Sequence, residues 1–533
     1  MSTSSRVAGV TIPLSSVRTQ RDWGIGQIAD VPAFARWILT AGHRLVQILP
    51  PYELAPGETS PYGARTAFGI DPLYVTLEDV ADLDASAIDD VLGSAGRTER
   101  DRLRGLAQVD FAGVRALKTR VLARAFERFE EREWKPGTLR AAELRAFVEA
   151  QPWVKDLALY VALRGQHNQW SWQHWPDGER HHEPAALAAA AEQLARPILE
   201  YEYVQWLAHD QWQRAKREVN ALGVELMGDL PFIVGTESAD VWAHPAEFRR
   251  DVSLGAPPDA FSEDGQDWGL PAYDWHAMDK NDLAWIRART RHAATLYDRF
   301  RLDHVVGYFR MYVRPPSMPA PPSSSASLAP PPPVRKPKGW FDPEGEEQEN
   351  ARGRKVLSII QTEASTTRVI GEDLGVIPPF VRTALNALGI PGYRVLPWEN
   401  DDGRFRDPTA YPTPSVATWS THDTAPIGAW WSELSARDRA ELSRLAHMSD
   451  DTARDEGARW LPLMRLLLAS SSELTLTLPQ EILGEHARIN TPGTVGEGNW
   501  TYRLPRPVEQ LEADPAVRAR MQALRDVCRE SGR

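Results

Sequence analysis

Cysteine is almost missing. Cys528 is the single one in 533 residues, so no disulfide can close within the chain and no cysteine cluster can hold a metal. Long apolar runs are lacking too: none approaches the eighteen or so residues of a membrane span, and MSTSSRVAGVTIPLSS at the start has no unbroken signal-peptide core. We therefore expect a cytoplasmic protein with no membrane partner. Positive charge is in deficit, with 61 Lys and Arg against 73 Asp and Glu and a formal net charge of −12. Phosphate backbones are gripped by basic footprints, so a nucleic-acid partner is excluded. No Gly-rich phosphate loop marks a nucleotide fold. No HExxH or HxH marks a metal site, and His181 and His182 in HHEP lack the i, i+4 spacing of a helical zinc pair.

What is there suits a folded enzyme. Hydrophobic residues make up 42% of the chain and charged ones 25%, which is enough apolar material for a core. Tryptophan stands out at 20 residues, among them Trp23, Trp268, Trp340, Trp398 and Trp500. Indole faces stack on pyranose rings while the edge N–H reaches a hydroxyl, so the excess hints at a sugar site even though a single Trp usually fills core.

Short β-branched or apolar runs recur at 45–49 (LVQIL), 224–227 (VELM), 300–302 (FRL), 369–371 (VIG), 393–396 (YRVL), 416–419 (VATW) and 474–478 (LTLTL). Helical patterns with proper ends lie between several of them, at 31–40 before Gly42 and at 378–388 before Gly389. Strands alternating with helices imply a parallel sheet covered by helices. Seven candidates over this length predict an α/β chain, a single (β/α)₈ TIM barrel over 1–533 with one strand unseen. Residues 84–220, rich in Ala, Leu, Arg and Glu at helical spacing, read as a helical insertion. Residues 315–338 hold ten prolines and a Ser/Ala tract, so we expect a polyproline-like or disordered surface loop.

Three carboxylates follow three of these runs: Asp303 in RFRLDH, Glu372 in VIGEDLG and Asp423 in WSTHDT. Strand C-termini of a (β/α)₈ barrel converge on the face that carries its active sites, so the three acids should meet. Glycoside chemistry uses such a pair, one carboxyl as nucleophile and one as proton donor to the leaving oxygen.

In this order after GDLPFIV, the motifs RLDH, GEDLG and THD resemble the conserved regions of the α-amylase superfamily. SPYGARTAFGIDPLYV, GVELMGDLPFIVGTESADVWAHP, GAPPDAFSEDGQDWGLPAYDW and RINTPGTVGEGNW narrow the resemblance to the 4-α-glucanotransferases, or amylomaltases, of glycoside hydrolase family 77, over about residues 9–504. The resemblance implies Asp303 as nucleophile, Glu372 as acid/base and Asp423 as transition-state stabiliser. It implies substrate-binding roles for Arg301, which keeps Asp303 ionised, and for His304 and His422 at the sugar being cleaved. Asp229 after VELMG, Ser60 and Tyr62 in SPY, Asp259, Gln266 and Trp268 in a loop over the acceptor side, and Asn490 in RINTPG complete the implied glucan contacts. The partners implied are α-1,4-glucans and maltooligosaccharides, with no cofactor; we expect a monomer or weak homo-oligomer. Departures occur at Asp71 and Leu270, where the family often has Asn. The rival readings are an amylase-like hydrolase and a non-catalytic glucan-binding relative. Amylases usually append an all-β domain after the barrel, whereas only about fifty residues follow LTLTL here. The intact Asp, Glu, Asp set speaks against a degenerate site.

Overall fold

Runs scattered over 470 residues of sequence become neighbours in one closed sheet. The computed structural model describes residues 6–55, 57–258, 264–316, 338–401, 404–494, 496 and 498–533. Its barrel consists of β1 (Val7–Ile12), β2 (Leu45–Ile48), β3 (Glu225–Leu230), β6 (Arg299–Leu302), β9 (Arg368–Gly371), β10 (Gly392–Val395), β13 (Ser415–Thr418) and β14 (Leu474–Thr477). Each strand runs parallel to its neighbours in this order, and β14 closes on β1 with Val7 beside Leu474 and Val10 beside Thr477. All seven predicted runs are barrel strands, shifted by one to three residues at their ends. The unseen eighth is β1. Its pattern is broken by Gly9, where an added Cβ would lie 2.7 Å from Leu45 Cδ2. Leu45 of the next strand fills the interior at that level instead.

The two-residue period of a strand sorts side chains between two cores. Leu45, Met227, Ile370, Tyr393, Val416, Leu474 and Leu476 fill the barrel interior. Val46, Leu226, Phe300, Val369 and Ala417 face outward into the shell of helices. Both faces are covered, which is why the strands read as nearly continuous apolar runs. The two capped helices lie where their ends predict, at Val31–Leu39 and Pro379–Leu388. The glycine after the second helix closes it in the left-handed region, with Gly389 at φ +65°.

Between β2 and β3 the chain is mainly helical, from Ala85–Gly105 through Phe111–Phe129, Leu139–Ala150 and Trp153–Gln166 to Ala195–Ala221. The last of these helices belongs to the barrel's own shell: it packs on β3 and on Val31–Leu39. The sequence reading contains no antiparallel strands, yet β4 (Phe248–Ala256), β5 (Gln266–Tyr273), β7 (Met311–Arg314) and β8 (Trp340–Asp342) form a second sheet in the order β5-β4-β7-β8. The GQDWG segment, expected as a loop, enters its edge strand β5. A two-stranded ribbon of β11 (Asn400–Asp401) and β12 (Arg404–Phe405) follows β10. Beyond Thr477 the described residues form helices and turns, with no all-β domain. Among the described residues no helix is long and apolar enough to cross a membrane. Of the proline-rich segment, residues 317–337 lie outside the described residues.

Candidate active site

Asp303 and Glu372 each sit one residue past a barrel strand, and the sheet's hydrogen bonding continues through them. The Asp303 N–H donates to Leu230 O and the Glu372 N–H to Leu302 O, each at 3.0 Å. Both backbones are thus fixed by neighbouring strands at the C-terminal face, where side chains of a barrel can converge. Arg301 and Asp303, two apart, share a face of the strand.

Arg301 joins the acids. In the β3–β6 register Asp229 lies opposite Arg301, and Arg301 Nη1 donates to Asp229 Oδ1 at 2.7 Å and Oδ2 at 2.9 Å. Its Nη2 stands 2.9 Å from Asp303 Oδ1 and 3.7 Å from Glu372 Oε2. The guanidinium is buried, yet the anions and Tyr62 around it hold its pKa well above the usual value. Asp229 is completely buried, its oxygens spent on Arg301 and on the Tyr62 hydroxyl, which donates to Oδ2 at 3.0 Å. Asp229 therefore lies beneath the cleft floor, and any influence it has on a sugar passes through Arg301 and Tyr62.

Glu372 accepts from the His304 N–H at 2.8 Å and from the Leu374 N–H at 2.9 Å. The first of these bonds depends on an unusual backbone, since His304 has φ +46°. Burial pushes the Glu372 carboxyl up to about 8; the Asp303 charge adds to the rise, while Arg301 and the two N–H donors pull against it. The carboxyl thus holds its proton to higher pH than an ordinary glutamate. Burial also lowers His304 to about 4, so its ring is neutral. That ring is packed edge-on by Trp268 at 5.0 Å and Phe232 at 5.5 Å between centroids.

Asp423 has the opposite setting. Loss of surrounding water would raise its carboxyl, but His422, Asn490 and Arg301 outweigh this and hold it at about 2. Asn490 Nδ2 donates to Oδ1 at 2.7 Å, and His422 Nε2 lies 3.4 Å from Oδ2. The His422 ring stacks on Tyr62 at 5.3 Å and 21°. Trp268 and Gln266 meet on β5, where the indole N–H donates to Gln266 Oε1 at 3.1 Å.

Above these groups opens a cleft of about 1780 Å³, whose lining includes Ser60, Tyr62, Trp268, Asp303, Asp423 and Asn490. This exceeds the roughly 300–1,000 Å³ of a drug-sized site and suits a chain of several sugar rings. Every implied site residue except Asp259, which lies outside the described residues, falls in or directly around this constellation. Sequence reasoning missed Arg488, whose Nη2 holds the Asp423 carbonyl at 2.9 Å, and also Phe232, and it placed Trp500 only among the tryptophans suited to a sugar site. The RINTPGTVGEGNW block was a signal for Arg488 and Trp500; nothing in GDLPFIV marked Phe232.

Comparison with known proteins adds the family. The family model described as 4-alpha-glucanotransferase, glycoside hydrolase family 77, matches residues 12–509. A 4-alpha-glucanotransferase of Thermus thermophilus is 32% identical over 498 residues, 90% of this chain and 92% of the relative. Another, from Chlamydia muridarum, is 28% identical over 97% of this chain and 94% of its own. Among solved structures, the amylomaltase from Streptococcus agalactiae in complex with acarbose superposes with a TM-score of 0.79 at 25% identity, covering 99% of both chains. A barrel bearing three acids at its carboxyl face, beneath a large cleft, is thus matched across nearly its whole length, and the chain belongs to the 4-alpha-glucanotransferase family of glycoside hydrolase family 77.

Proposed function

We propose that the protein transfers a segment of an α-1,4-glucan to the 4-hydroxyl of an acceptor glucan or glucose by a retaining double displacement. The observation that carries this reading is one buried guanidinium standing 2.9 Å from the Asp303 carboxyl and 3.7 Å from that of Glu372. Asp303, paired with Arg301, is the nucleophile that attacks the anomeric carbon. Glu372, kept protonated by burial, gives its proton to the departing glycosidic oxygen. In the second half Glu372 takes the proton of the acceptor hydroxyl, which displaces Asp303 with net retention. Contact of Arg301 Nη2 with both acids limits the separation of those oxygens to the total of 2.9 and 3.7 Å. That bound accommodates the ~5–5.5 Å of retaining enzymes and reaches only the lower edge of the ~6.5–9.5 Å of inverting ones.

Asp423, ionised throughout, faces the developing oxocarbenium charge, and His422 and neutral His304 donate to hydroxyls of the same sugar. Tyr62 offers its ring to that sugar, Trp268 and Gln266 wall the acceptor side, and Ser60 and Asn490 line the rest. Asp229 positions Arg301.

Maltotriose alone tests the reaction. A transferase makes glucose and a ladder of longer maltooligosaccharides while total reducing ends stay constant, because each bond broken is replaced by one formed. A bound acceptor hydroxyl outcompetes water through its high effective molarity. Reducing ends that climb in step with glucose, with nothing longer than maltotriose, would replace this reading by an amylase-like hydrolase. No product at all would leave a non-catalytic glucan binder.

The pH profile has a definite sign. Only the protonated form of Glu372 can start the reaction, so kcat/KM should be flat near neutrality and decline on the alkaline side with an apparent pKa near 8. An alkaline limb below pH 6 or above pH 10 would disconnect that carboxyl from the first step.

A further inference from the structure

Trp500 is a bulky residue in a backbone conformation that favours glycine, with φ at +65°. Such strain persists where the surroundings over-determine it, and it clusters at working sites. The ties are identifiable. The Trp500 N–H donates to Ile489 O at 2.7 Å, and the next residue's carbonyl, Thr501 O, accepts the Val109 N–H at 2.9 Å. The Tyr502 hydroxyl then anchors on Glu485 Oε2 at 2.7 Å. Held from both sides, the turn sends the indole into a small apolar cluster with Leu49, Leu478, Ile489 and Tyr502, and into the wall of the cleft, where only 8% of the residue is exposed.

There the indole touches two rings at once. It meets Tyr62 at 5.7 Å and 54°, and His422 at 5.6 Å and 37°. These two are themselves stacked, so the three rings form a closed triangle. Each of the other corners leads to a different part of the machinery: the Tyr62 hydroxyl to the Asp229 and Arg301 pair, the His422 ring to Asp423. The indole itself has one N–H, no titratable group and no place in a proton or glycosyl transfer. What it can supply is orientation.

We propose that Trp500 is a positioning residue of the transfer reaction, its left-handed backbone setting the indole that fixes the planes of Tyr62 and His422 beside the sugar being cleaved. This rests on the mechanism above. Misplacement of either ring by an ångström lowers the rate while leaving most of the long cleft to bind donor.

Three variants separate orientation from stability. Trp500→Gly removes the ring and relieves the backbone, Trp500→Ala removes the ring and keeps the strain, and Trp500→Phe keeps a ring. The Gly variant should melt above the Ala variant, because glycine tolerates this φ. Assayed on maltotriose below the lowest Tm, both should nevertheless lose kcat alike, on the order of ten- to a hundredfold. KM should stay within about threefold, the pattern of an interaction made in the transition state. Trp500→Phe should recover most of kcat. Activity that follows Tm, with Gly well above Ala, would reduce Trp500 to a packing residue. A loss confined to KM, or a kcat within about twofold of the unmodified protein, would equally overturn the proposal. If the Ala variant does not fold, the Gly and Phe variants decide. An unmodified protein that makes no ladder removes the transfer reading first; variants that match an active unmodified protein remove this inference alone.

Discussion

Asp303→Asn and Glu372→Gln are each expected to cut turnover on maltotriose by at least about a hundredfold while leaving the fold in place. An amide at 303 cannot attack the anomeric carbon, and one at 372 can neither give a proton to the leaving oxygen nor take one from the acceptor. Both replacements keep the side chain's shape. At 372 one oxygen can still accept from His304 or Leu374, so the fold loses about one hydrogen bond, worth ~1 kcal/mol. Circular dichroism and melting temperature check that part. Residual activity above a hundredth in either variant would mean that another group is nucleophile or acid. The Glu372→Gln variant should also lose the alkaline limb near pH 8, since the group that titrates there is gone.

Arg301→Met should damage both fold and chemistry, for separable reasons. Asp229 is completely buried and Arg301 is its cation. Without the guanidinium, Asp229 must remain an unpaired buried anion or take up a proton, and breaking such a pair costs about 3–5 kcal/mol. Asp303 also loses its ion-pair partner 2.9 Å away. Adding Asp229→Asn to Arg301→Met removes the stranded charge, so denaturant midpoints should recover much of the lost stability. Turnover should not recover, because Asp303 is still without its partner. A double variant as active as the unmodified protein would confine Arg301 to a structural role. Arg301→Lys should fall near the Met variant in activity, since a single ammonium cannot reach Asp229, Asp303 and Glu372 in the geometry of the planar fork.

Much of this was legible from residues alone. Barrel strands buried on both faces leave apolar runs, and the acids at their ends are the polar residues that interrupt them, so Asp303, Glu372 and Asp423 were visible without any contact information. Arg301 could be placed beside Asp303 because alternation along one strand is local. Its bond to Asp229 could not, because that depends on the register between β3 and β6, which one sequence does not encode in a readable way. The strand β1 escaped notice because Gly9 stands where the interior would ask for a large side chain, and Leu45 supplies that bulk from across the sheet. The second sheet escaped because the segment carrying β4 and β5 is rich in Gly, Pro and Asp, which signal turns, while its pairing is antiparallel and irregular. Trp500 was legible only as one more tryptophan. Its strained φ and its contact with two rings are tertiary facts.

The closure of the barrel between β1 and β14 has a consequence for biogenesis. At about 5–20 residues per second, on the order of a minute separates the synthesis of Val7 from that of Leu474. Throughout that time β1 has β2 beside it on one side and nothing on the other. A nascent chain that has already delivered Asp303 and Glu372 is an open sheet with an unpaired edge, the form most prone to pair with a wrong strand. Competence therefore arrives late and all at once. A chain cut short before Leu474 should collect in aggregates or be degraded, and should not persist as a weak transferase.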